Sequence, residues 1–169
     1  MPTTVYNPDG VEILGNIKVV VAPAVADIEQ TRMAEIQAGV EITCAIDSWT
    51  TQGTRSTNEK MVLCSTSPRI RLGRRTFSDI TLTPDIVDPQ DDSDALLAAC
   101  PEGGIVYLIM RPGLPSDDDF AVGQQVVVAK CRVMSRNVND AGTDDGATWQ
   151  WSIVLHPEDA TNPMSTIAA

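Results

Sequence analysis

His156 is the only histidine of the 169-residue chain, and Cys44, Cys64, Cys100 and Cys131 are its four cysteines. Nucleophilic catalysis through a Ser-His-Asp or Cys-His arrangement would have to use His156. That residue closes an apolar segment beside Pro157, ahead of a small, polar tail, where an imidazole is ordinarily structural or solvated. The cysteines are widely spaced, with no Cys-x-x-Cys pair, whereas zinc sites draw on closely spaced ligands. Buried free thiols in a reducing compartment are the expectation.

The acidic run Asp91-Asp92-Ser93-Asp94 lacks the glycine and terminal glutamate of a calcium loop and reads as the start of a helix. Asp117-Asp118-Asp119 reads as a solvated turn, and Gly103-Gly104 as a helix-to-strand turn and not a phosphate cradle. Trp149 and Trp151 share one face of a strand, as core residues do, and do not read as a platform for stacked bases. The sequence therefore assigns no catalytic, cofactor-binding or metal-binding residue, and an enzyme is not expected.

Charge narrows the classes further. There are 23 acidic and 12 basic residues, a net charge of −11. Such a surface repels phosphates, which argues against a conventional nucleic-acid binder. Acidity serves solubility, and it would also suit a wall past which DNA must slide without being held. Against this background Arg69, Arg71, Arg74 and Arg75 form the densest basic cluster. It reads either as a patch for acidic surface on a neighbouring subunit or as a strand edge kept soluble by charge.

The elements around these residues are mostly strands. Residues 1–16, with Asn7-Pro8-Asp9-Gly10, read as an irregular arm, followed by a short strand Ile17–Val21. A helical stretch over 26–38 stops at Gly39. Val40 to Asp47 alternates as a half-buried strand. Residues 48–60 form a long polar loop around Trp49, and Met61–Cys64 a further strand. The turn at Ser65-Thr66-Ser67-Pro68 and the arginine cluster lead into a long strand from Thr76 to Thr83, alternating Ser78, Ile80 and Leu82 against Phe77, Asp79, Thr81 and Thr83.

A helix ends at Cys100-Pro101. Gly104 to Met110 is apolar on both faces, as in a covered strand. Strands at 125–136 and 149–156 flank a polar hairpin loop, and the chain from Pro157 reads as a second arm. About seven strands and a flanking helix make a β-sandwich or barrel the economical fold. The apolar run Ile105–Met110 is far shorter than the roughly 20 residues a spanning helix needs. The first residues have no secretory-signal pattern, so use without export is expected.

The order of these features resembles the tail tube proteins of long, non-contractile-tailed phages, especially those of actinobacteria. The resemblance rests on Ala38-Gly39, Val40-Glu41-Ile42-Thr43-Cys44, the long polar loop and Met61-Val62-Leu63-Cys64-Ser65-Thr66. It continues through Ile80-Thr81-Leu82, the helix, Gly104-Ile105-Val106-Tyr107-Leu108 and Phe120-Ala121-Val122-Gly123-Gln124-Gln125-Val126.

It implies a mainly β, sandwich- or barrel-like tail tube fold with one flanking helix, a long inter-strand loop and extended terminal arms, 1–16 and 157–169, around a body at 17–156. It also implies a structural virion protein, assembled in the host cytoplasm, whose hexameric rings stack into a tube through which double-stranded DNA leaves the capsid. The partners would be further copies of the chain, and tape measure, tail terminator and distal tail proteins. Loop 48–60, with Trp49, Thr50, Arg55 and Asn58, would bridge stacked rings; Glu41, Asp47 and Asp79 would line the lumen. Arg69, Arg71, Arg74 and Arg75 would be neutralised between subunits or lie outside the channel. A capsid decoration protein or another β-sandwich binding module is the alternative.

Overall fold

The computed structural model describes residues 15–45, 54–60, 69–85, 94–139, 149–158 and 162–169. The main body is one antiparallel sheet built from β1 (Ile17–Ala22), β2 (Val40–Glu41), β5 (Ile80–Leu82), β6 (Ile105–Pro112), β7 (Gln125–Asn139), β8 (Gln150–Pro157) and β9 (Asn162–Thr166). Its order is β2-β1-β6-β7-β8-β5, with β9 also on β7. Among the described residues, strands β3 (Thr54–Lys60) and β4 (Arg69–Thr76) pair with each other alone, as a separate antiparallel ladder. The fold is mainly β, as expected.

Both faces of the sheet are covered. Val19 and Val21 join Val106, Leu108, Cys131, Ile153 and Leu155 in one apolar cluster, while Val20 and Ala22 join Ile109, Val126, Val128 and Ile167 in the other. This follows from the two-residue period of strands in which consecutive residues are apolar. Helix α2 (Ala95–Ala99) caps the first face with Leu96 and Cys100; Asp94 Oδ1 accepts from the Leu96 N–H at 2.8 Å, fixing its start. Helix α1 (Met33–Gln37) covers the second face with Ile36. The Glu35 carboxylate accepts from the backbone N–H of Arg32 and of Ala26, each at 2.9 Å, tying the preceding bend to the helix. Gly39 lets the chain leave α1 against β1, since a Cβ there would lie 2.6 Å from Val21 O.

Strand β7 is 15 residues long, and one side of it is lined by β8 and then β9. Asn139 to Cys131 pairs with Gln150 to Pro157, Glu158 N–H donates to Lys130 O, and Val128 to Gln125 pairs with Asn162 to Thr166. The end of the chain, expected as an arm, is thus partly sheet. Ile167 is buried in the second cluster, and Ala168 bonds Thr31 and Met33 at the start of α1. Composition hid this, because one isoleucine among small residues anchors the segment.

Several expected boundaries move. Among the described residues of the expected strand 40–47, only Val40–Glu41 forms strand: Thr43 Oγ1 takes the Val19 N–H at 3.1 Å, and Thr43–Ala45 coils into a 3-10 turn. The helix expected over 26–38 is confined to α1. Of the strand expected at 76–83, Thr76 ends β4 and three residues form β5. Part of loop 48–60 is β3. The first arm up to residue 14, Asp47, Trp49, Thr50 and the strand at 61–64 lie outside the described residues.

Candidate assembly surface

The β3–β4 ladder carries the expected basic cluster. Its register sets Lys60 opposite Arg69, Asn58 opposite Arg71 and Arg55 opposite Arg75, with an irregularity between Arg55 and Thr57. Like charges placed opposite one another oppose pairing, and a lone two-stranded ladder is marginal in water. Six of the chain's 12 Lys and Arg residues lie on these two strands, with Glu59 as their one acid. The remaining six cations therefore stand in the rest of the sequence beside 22 of the 23 acids.

Those six cations are mostly engaged. Lys18 and Arg111 are buried; Lys130 and Arg132 pair with Glu158; Arg136 Nη1 donates to Leu97 O at 3.1 Å. Arg32 is exposed before α1. Arg111 was not singled out in the sequence, nor was Lys18, yet they organise the turn between β6 and β7. Arg111 donates from Nη1 to Asp119 O at 2.7 Å and from Nη2 to Pro115 O at 2.6 Å, and its guanidinium lies 5.2 Å from the Phe120 ring centroid. Lys18 Nζ donates to Asp118 O at 3.2 Å. A cation closing a covered strand was the available signal: Arg111 follows six apolar residues.

Because these cations meet carbonyl oxygens, the carboxylates above them stay outside. Asp117, Asp118 and Asp119 are all exposed, and Asp119 comes no nearer than 4.0 Å to Lys18 Nζ. Two other acids have partners. Glu41 accepts from Thr43 Oγ1 at 3.0 Å and lies 3.5 Å from Lys18 Nζ; Asp79 Oδ1 lies 2.6 Å from His156 Nδ1. Glu41 is on edge strand β2, whereas Asp79 precedes β5 at the opposite end of the strand order.

The nucleophiles do not form a site among the described residues. Cys100 and Cys131 are buried, which pushes their thiols up to about 11 and about 12; the Glu158 and Cys100 charges add to the rise at Cys131. Cys44 is exposed. No group of three or more His, Cys, Asp or Glu positioned for a metal occurs among the described residues. No helix among them is long and apolar enough to cross a membrane. Trp151 packs partly against the first cluster, while Trp149, expected in the core, is exposed.

A family profile described as phage tail tube protein matches residues 7–162. The chain belongs to this family. It is accordingly a structural component of the phage tail, in a β-rich tail tube subunit. The match includes the ladder, the sheet as far as the first residue of β9, and the turn over Arg111. A comparison with curated proteins found no match.

Proposed function

We propose that this tail tube protein has no enzymatic activity and acts by self-association: six copies form a ring, rings stack, and the bore conducts double-stranded DNA out of the capsid. The observation that carries the reading is the division of charge. The β3–β4 ladder is cationic and pairs separately from the main sheet, in an otherwise acid-rich sequence, and such a ladder gains most by docking on acidic surface of another copy. Arg69, Arg71, Arg74 and Arg75 are the contact residues, with Arg55 and Asn58 across the ladder and Trp49 and Thr50 preceding it in the stacking loop.

Six copies at −11 each bring about −66 into one ring, so assembly requires cations at the joints. The excess of acids over cations gives an acidic conduit that holds no phosphate. Glu41, Asp47 and Asp79 are assigned to that lining, and the tape measure, terminator and distal tail proteins to the tube's interior and ends. Assembly takes place in the host cytoplasm. Electron microscopy with analytical ultracentrifugation of the purified chain tests the reading: rings or tubes are expected, and a monomer persisting at high concentration overturns it.

A further inference from the structure

We infer that the turn over Arg111, residues 113–121, is the receptor for the β3–β4 ladder of a second copy, with Asp117, Asp118 and Asp119 set against its arginines; this rests on the reading of the chain as a self-assembling subunit.

The turn is built to present charge. Backbone bonds from Gly113 N–H to Asn16 O and from Ser116 N–H to Gly15 O, both 2.8 Å, tie it to the entry of β1. Arg111 and Lys18 fill the space beneath and bond to its carbonyls. Arg111 is fully buried and its Nε has no acceptor, so the guanidinium is spent on backbone oxygens and not on the three carboxylates. A buried Arg ordinarily pairs with carboxylate. Here, among the described residues, the Asp117 and Asp118 side chains have no cation in reach, and the Asp119 side chain is fully exposed.

Several other acids among the described residues are committed. Glu35 ties the start of α1, Asp94 caps α2, Asp79 meets His156, and Glu158 meets Lys130 and Arg132. Asp117-Asp118-Asp119 is the longest acidic run of the sequence, as the ladder holds its densest group of cations. Complementary rim charges steer encounter and fix register, and wrong pairings bring like charges together. A preorganised turn loses little freedom when it docks.

Two charge-reversed chains test this. One carries Asp117→Lys, Asp118→Lys and Asp119→Lys; the other carries Arg69→Glu, Arg71→Glu, Arg74→Glu and Arg75→Glu. Assembly is followed by light scattering and electron microscopy beside wild type. Each variant alone should fold, by thermal melt, yet assemble at least tenfold more slowly. An equimolar mixture should restore assembly, because each chain then offers the other a complementary half. Variants that assemble like wild type overturn the contact. So does a mixture that fails while one chain bearing both sets assembles, since the contact is then internal.

If a reversal prevents folding, the milder set Asp117→Asn, Asp118→Asn and Asp119→Asn replaces it, at exposed positions. It should also slow assembly at least tenfold and lessen its dependence on salt between about 0.05 and 0.5 M; an unchanged rate and salt dependence overturn the proposal. A wild-type chain that stays monomeric overturns the assembly reading and this contact with it, whereas failure of the contact alone leaves wild-type tubes intact.

Discussion

Lys18 and Arg111 stand directly opposite each other on β1 and β6, both buried, and among the described residues no carboxylate pairs with Arg111. Two like charges side by side in a protein interior are unfavourable unless backbone dipoles offset them. The carbonyls of Pro115, Asp118 and Asp119 supply those dipoles, with the Phe120 face beside both cations.

Arg111→Ala removes two charge-assisted hydrogen bonds and leaves two carbonyls facing a void. It should destabilise the unassembled chain by about 3 kcal/mol, a fall in Tm of roughly 6–12 °C for a chain of this size. Arg111→Lys should recover only part of this, since an ammonium cannot reach both carbonyls as the planar fork does. Thermal melts measure the loss, and faster amide exchange in residues 113–121 locates it. Unchanged exchange there contradicts the role assigned to the guanidinium.

Gly39→Ala should cost about 1–3 kcal/mol by overpacking. The added methyl would meet the Val21 carbonyl oxygen at 2.6 Å and the Val20 side chain closer still, both in a strand paired on its other side with β6. Chemical denaturation checks it: the midpoint falls with no change in slope.

The contrast between what was and was not readable follows from where each residue's partners come from. Strand β6 was plain because Ile105 to Met110 is apolar throughout, and α2 because Asp94 and Pro101 bound it. Both signals are local. Val40 to Asp47 alternates just as well, but after Glu41 the Thr43 hydroxyl takes the Val19 N–H that a longer strand would have received. Nothing within 40–47 records that competition. Arg111 looked like the first residue of a turn; its burial depends on carbonyls four and eight residues ahead. The basic cluster was legible as composition, whereas its isolation from the main sheet is a property of topology.

Cys100 and Cys131 make alkaline pH destabilising. Their folded values, about 11 and about 12, lie above the ordinary 9.0, so above pH 9 the unfolded chain releases protons that the folded one keeps. Unfolding then gains with rising pH: the contribution is fully present below pH 9 and is lost as pH climbs toward 11 and 12, by up to about 1.4 kcal/mol per pH unit per thiol. Denaturation at a series of pH values, comparing wild type with Cys100→Ala/Cys131→Ala, should show a shallower alkaline decline in the variant. In the native chain at pH 8 a thiol reagent should modify exposed Cys44 and spare these two.

The end of the chain gives the last prediction. An arm ordered only by a neighbouring subunit would contribute nothing to the stability of a lone copy, whereas Ile167 is 1% exposed within the cluster formed by Val126, Val128 and Ile36. Ile167→Ala should therefore cost about 2–4 kcal/mol in the unassembled protein. Met164→Ala, on the same segment but 46% exposed, should change stability by no more than about 0.5 kcal/mol. Urea titrations of both variants below the assembly concentration compare them. Equal, negligible losses would mean that β9 detaches from β7 in the free chain, and that the seam of Gly123 N–H on Ile167 O and Ala168 N–H on Thr31 O, each 2.9 Å, forms only once a neighbour is in place.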